Sequence, residues 1–320
     1  MTMSREDILT ILAQNIESRG SAFPLAPTRL TEWSRGLGLP RGGKTVLYTG
    51  HMYQMMPYLK GLQQRQEKWP ILFKGGKIAR FVNPFVNLTA IITMGAAPMD
   101  DREFYYQVLR NVVNLLRGCA IEFGYLYKEE DYAGTLAYDL GLDRAFERHA
   151  ARVYRRLKNH GVKELITVDP HTTDILKNVY PQVVEGFDIE VKHYLEILAE
   201  RWPSKTKTPG GGPVVVHDSC VCARYLNMIQ EPRHLLSSIG ISTLEPELSG
   251  KNTHCCGGPV ESLYPEKARD IARNRMDQLK NLGETVVTMC PICHLNLVNA
   301  TENHEHIIDI ANLLIRRKEE

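Results

Sequence analysis

Apolar positions recur along this chain at two periods, and the switching between them sets the expected elements. Ile8, Leu9, Ile11, Leu12 and Ile16 fall at helical spacing, and Ser4 stands where it can cap that helix. Residues 104–116 and 146–159 carry the same period, the second run being closed by Gly161. Short unbroken apolar runs are the other signal. Residues 45–49 and 164–168 read as buried strands, the first ending at Gly50-His51 and the second at Asp169-Pro170-His171.

The second half repeats this order. Residues 213–217 form a strand pattern like 45–49. Residues 266–282 form a helix pattern closed by Gly283, and residues 284–288 a strand pattern like 164–168. Cys290-Pro291 then stands where Asp169-Pro170 stood. Strands alternating with helices predict an α/β fold: two tandem pseudo-repeated units with parallel sheets, preceded by an N-terminal helical extension. Residues 205–213, rich in Lys, Thr, Gly and Pro, read as a linker. The expected domains are therefore an extension over 1–43, a first unit over 44–204 and a second over 213–320. Ligands of parallel sheets gather at the carboxyl ends of the strands, so residues just past each strand are the ones to watch.

The longest apolar stretch, residues 81–99, is broken by Asn83, Pro84 and Asn87. A bilayer-spanning helix needs roughly 20 mostly apolar residues, so a buried core helix is expected here, with an apolar face for a partner as the alternative. Charge adds little: 39 basic and 37 acidic residues are well mixed, with no basic stripe for nucleic acid. The opening residues lack the basic start and apolar run of a secretory signal, so a reducing, cytoplasmic setting is expected.

That setting changes how the seven cysteines are read. Clustered thiols in a reducing compartment bind metal or do redox chemistry more often than they form structural disulfides. Six of the seven lie in the last third: Cys220, Cys222, Cys255, Cys256, Cys290 and Cys293. Cys290 and Cys293, two residues apart around Pro291-Ile292, can present both thiolates from one turn to one metal centre. The adjacent pair Cys255-Cys256 splays its side chains and suits a cluster of several irons better than one tetrahedral ion. Gly257 and Gly258 let the backbone bend close. A zinc site remains open, since His217, His254 and His294 are near in sequence, and so does a dithiol pair or inert packing.

The spacing of these residues resembles a known family. Cys220 precedes Cys255-Cys256-Gly257 by 35 positions, and Cys256 precedes Cys290 by 34. This is similar to the cysteine-rich CCG domain of heterodisulfide reductase and of related iron–sulfur proteins. Such proteins usually carry two CCG domains in tandem, which matches the internal repeat. The first copy departs from the pattern. Gly50-His51 stands at the leading cysteine, Tyr132-Ala133-Gly134 at Cys-Cys-Gly, and Asp169-Pro170-His171-Thr172 at Cys-x-x-Cys. No cluster of the family type can form there, and His51, Tyr132, Asp169 and His171 are expected to converge at the old cluster position. Cys119 reads as structural.

The resemblance implies a [4Fe–4S] centre, cubane or noncubane, on Cys220, Cys255, Cys256, Cys290 and Cys293. Cys222 has no place in that set. It also implies partners, a ferredoxin-like iron–sulfur subunit or a flavoprotein, because the chain has no ferredoxin cysteine run, no dinucleotide-binding glycine loop and no Walker motif of its own. The function expected is an iron–sulfur redox subunit of a heterodisulfide reductase-like complex, relaying electrons or reducing a disulfide. The alternatives are a structural or assembly subunit with a zinc or inert cluster site, and a thiol oxidoreductase that uses an exposed Cys290.

Overall fold

A computed structural model describes residues 4–68, 76–93, 97–203, 212–302 and 306–319. The four expected strands form as β1 (Thr45–Tyr48), β3 (Glu164–Thr167), β5 (Val214–Val216) and β7 (Val286–Thr288), and four that were not expected join them: β2 (Gly124–Tyr125), β4 (Glu190–His193), β6 (Thr243–Leu244) and β8 (Ile307–Asp309). They make two four-stranded sheets, ordered β2-β1-β3-β4 and β6-β5-β7-β8. Both sheets are parallel. In the second, Val215 pairs with Leu244 on one side and Val286 on the other, and Val287 pairs with Ile308. The shared order is the internal repeat made visible. Strands buried on both faces need unbroken apolar runs, which is why Val214 to Val216 and Val286 to Thr288 are all buried.

Contacts divide the chain into two compact units. One comprises Met1–Tyr106, Phe123–Ile166 and Ile175–Val191. The other comprises Gln107–Glu122, Thr167–Asp174 and Lys192–Glu320. Each unit is therefore discontinuous in sequence, whereas residues 44–204 and 213–320 were expected as continuous blocks. Most of the expected 205–213 linker lies outside the described residues.

In the first unit the helix Arg5–Arg19 begins with the expected cap. Ser4 Oγ accepts from the Asp7 amide, and the Asp7 carboxylate accepts in return from the Ser4 amide. Arg148 pairs with Glu17, and Arg152 donates to the Ile16 carbonyl, which fastens this helix to the helix Asp143–Asn159. The apolar stretch 81–99 is not the buried core helix expected. Asn83 and Pro84 break it, leaving the short helices Gly76–Val82 and Leu88–Thr93. Phe81 and Phe85 are 77% and 81% exposed. Among the described residues no helix is long and apolar enough to cross a membrane.

The core of the second unit lies between its sheet and its helices. Val215, Met276, Leu279, Val286, Leu297 and Ile307 pack there together with Cys256, Cys290 and Cys293. The thiols are thus part of the wall of the core.

Candidate metal centre

Two strand ends and one loop bring the cysteines together. The chain leaves β5 through His217, Asp218 and Ser219 into a short helix that starts at Cys220. It leaves β7 through Met289 into Cys290, the residue before the helix Pro291–Asn299. Pro291 suits the first helical position, where its missing N–H would have no partner anyway. The first turn of that helix then carries Cys293 back beside Cys290. The third element is the loop 253–258.

Asp218 fixes that loop against β5. Its buried carboxylate accepts both terminal nitrogens of Arg233, at 2.9 and 2.8 Å, and the Gly250 amide at 2.7 Å. Its carbonyl accepts from Thr253 Oγ1 at 3.0 Å. Paired, hydrogen-bonded burial is what a carboxylate inside a protein requires. The loop next turns at Gly257, whose φ is +85°. A Cβ on Gly257 would lie 2.5 Å from the Ala268 carbonyl, and one on Gly258 would lie 2.3 Å from Ile292 Cγ2. Both glycines are therefore demanded by close approach, one to a helix backbone and the other to the side chain between Cys290 and Cys293.

The result is a compact set of sulfurs. Cys220 Sγ and Cys255 Sγ are 4.0 Å apart, and the Gly257 amide donates to Cys255 Sγ at 3.3 Å. Sγ of Cys256, Sγ of Cys293 and a ring nitrogen of His217 all lie within 4.8 Å of one another. Cys256, Cys290 and Cys293 are buried, and Cys220 and Cys255 are partly exposed. Hydrogen bonds from Cys220, Cys256 and the Gly257 amide push the Cys255 thiol down, while the same contacts push Cys220 and Cys256 up. Burial opposes ionisation of Cys290, but hydrogen bonds from Cys293 and His171 outweigh it and hold that thiol low. Five thiols this close cannot all ionise unless a cation sits among them. One zinc ion would use four. Five clustered sulfurs on three loops fit an iron–sulfur cluster, whose several irons need that many thiolates.

Further residues line the site. His171 Nδ1 lies 3.9 Å from Cys290 Sγ. Asp169 is buried, accepts the Thr172 amide at 2.9 Å, and is pushed by burial to about 6. Both belong to the second unit, whereas His51 and Tyr132 belong to the first. Cys222 is buried and its thiol is pushed far up by burial. Cys119 is partly exposed.

A family model for a cysteine-rich domain, CCG, matches residues 214–298. The chain carries a CCG domain. The match begins at β5 and ends in the helix after β7, so it contains Cys220, Cys255, Cys256, Cys290 and Cys293. Relatives extend the likeness beyond the CCG domain. The EtfAB:quinone oxidoreductase of Syntrophomonas wolfei is 33% identical over 242 residues, covering 70% of this chain and 33% of that protein. The probable iron-sulfur-binding oxidoreductase FadF of Bacillus subtilis is 30% identical over 198 residues, 60% of this chain and 28% of that protein. A component of the dihydromethanophenazine:CoB–CoM heterodisulfide reductase of Methanosarcina acetivorans is 25% identical over 219 residues, 63% of this chain and 52% of its own. The chain spans about a third of the length of the first two of these relatives.

Sequence reasoning found the cysteines by spacing. It did not find Asp218 with Arg233, nor Arg275, which is fully buried beside His217. A signal for Arg275 was present: it shares the helical face of Ala268, Ala272, Met276 and Leu279, all buried.

Proposed function

We propose that this chain is the CCG-domain part of an iron–sulfur oxidoreductase, and that it relays electrons through one [4Fe–4S] cluster held by Cys220, Cys255, Cys256, Cys290 and Cys293. The observation that carries this reading is the gathering of five sulfurs at the carboxyl ends of β5 and β7, inside a CCG domain. The cluster, when bound, supplies one-electron redox chemistry. The chain supplies its walls: Asp218 and Arg233 hold the loops, and Gly257 brings Cys255 and Cys256 to the sulfurs opposite.

Relay is favoured over disulfide cleavage because the first repeat has no cysteine at the family positions. The donor fits a flavoprotein or a ferredoxin-like iron–sulfur subunit. One relative is named for EtfAB and quinone, which favours electrons moving from a partner protein towards quinone. Burial of Cys290 argues against the exposed dithiol reading.

The test is iron, zinc and acid-labile sulfide per chain on anaerobically purified protein, with EPR of the oxidised and dithionite-reduced states. About four irons with matching sulfide, and a signal that appears or disappears on one-electron reduction, are expected from the number of thiolates. One zinc and no iron would replace this reading with the structural one, and eight irons would mean that the first repeat also holds a cluster.

A further inference from the structure

Behind Cys256 and Cys293 lies a buried pair of basic residues with no part in the ligand set. Arg275 comes from the helix Pro265–Lys280 and is fully buried. Its Nε donates to His217 Nδ1 at 3.2 Å, its Nη1 to Gln278 at 2.9 Å and its Nη2 to Thr253 Oγ1 at 3.5 Å. Guanidinium has only donors, so Nδ1 of His217 must be the acceptor. In a neutral imidazole with one nitrogen accepting, the other carries the hydrogen. That other nitrogen, Nε2, is buried and has no hydrogen-bond partner among the described residues. An unmet buried N–H is costly, and the His217 ring has one of its nitrogens within 4.8 Å of both Cys256 Sγ and Cys293 Sγ.

We infer that His217 donates its Nε2 hydrogen to sulfur of the bound cluster, a cluster sulfide or the thiolate of Cys256 or Cys293, and that Arg275 fixes the ring for this role. The inference rests on the cluster proposed above. It also removes His217 from the possible metal ligands. Coordination through Nε2 would need the hydrogen on Nδ1, where Arg275 already donates. A hydrogen bond to cluster sulfur stabilises the reduced state, which carries the extra negative charge, and so raises the reduction potential.

The experiment is an EPR-monitored redox titration of wild type, His217→Leu and His217→Gln, each assayed first for iron and sulfide. The Leu variant is expected to keep its iron and to titrate at lower potential. The Gln variant, which can place an amide N–H near Nε2, is expected to titrate close to wild type. An unchanged potential in the Leu variant, or Leu and Gln variants shifted alike, overturns the inference and leaves the cluster proposal standing. Wild type without iron overturns both. If the Leu variant loses its cluster, pulsed EPR of wild type labelled with ¹⁵N-histidine decides. A weak nitrogen coupling together with an exchangeable proton supports donation. A strong coupling of direct ligation, or no coupling, overturns it.

Discussion

The two halves share one sheet order and differ in what fills the strand ends. In the second half, the loop after β5 and the loop 253–258 meet through thiols. In the first half, the matching loops meet through a carboxylate. Glu130 Oε1 accepts the amides of Thr49 and Gly50 at 2.6 and 2.7 Å, together with Thr49 Oγ1. Tyr132, standing where the first cysteine of the pair would be, bonds Thr135 and the Leu136 amide instead. Tyr180 donates to the Ala133 carbonyl. Yet the glycine persists: Gly134 has φ +92° where Gly257 has +85°. The turn belongs to the scaffold, and the chemistry depends on a few side chains hung on it. Both halves leave buried polar atoms unmet, Glu130 Oε2 and Asp131 Oδ2 in the first and His217 Nε2 and Ser219 Oγ in the second.

Substitutions should separate the halves sharply. The largest effect is expected for Cys256→Ala or Cys290→Ala, with iron content falling to near zero and the visible absorption lost. Substitution of Ala133, its counterpart in the first half, by Ser should leave iron unchanged. Asp218→Ala should come next. It removes one of the two carboxylates paired with Arg233, Glu245 being the other, and leaves the Gly250 amide without its acceptor, a loss of about 1–3 kcal/mol readable as a lowered denaturation midpoint. Glycine substitution compares the two turns directly. A positive φ alone costs about 1–3 kcal/mol. Gly257→Ala adds a backbone clash at 2.5 Å, whereas Gly134→Ala meets side chains alone, the Phe146 ring at 3.0 Å and the His149 ring at 3.2 Å. Gly257→Ala should therefore be the more destabilising in urea titrations.

The smallest expected effect is pH-dependent and confined to the first half. Burial raises Glu130 from 4.5 to about 7, outweighing its hydrogen bonds from Thr49 and Gly50. The folded protein then keeps a proton that the unfolded chain releases. This contribution is full below about pH 4.5 and is lost as pH rises through about 7, at most about 3 kcal/mol by linkage. Glu130→Gln should flatten that limb of the stability curve, and an unchanged slope between pH 5 and 7 would remove Glu130 as its source.

Much of this architecture was legible in the sequence, for identifiable reasons. Parallel strands buried on both faces announce themselves as apolar runs, and thiols at fixed spacing announce a metal. The exposure of Phe81 and Phe85 was not legible, because an apolar run has the same composition whether buried or presented. His217 was visible only as a nearby residue, since a lone histidine obeys no spacing rule. Its role depends on Arg275, 58 positions away. The discontinuous units were hidden for the same reason, because linear order does not record which segment a loop returns to.

That last point bears on how the molecule could be taken apart. Residues 167–174 end a strand of the first repeat, yet they pack with the second unit, where His171 stands against Cys290. The first copy gives segments to the second unit, so the copies are not separate modules. A fragment cut within residues 205–213 would keep every cysteine of the CCG domain and lose a piece of its wall. Such a fragment should take up iron and then bleach quickly in air, whereas the whole chain keeps its colour.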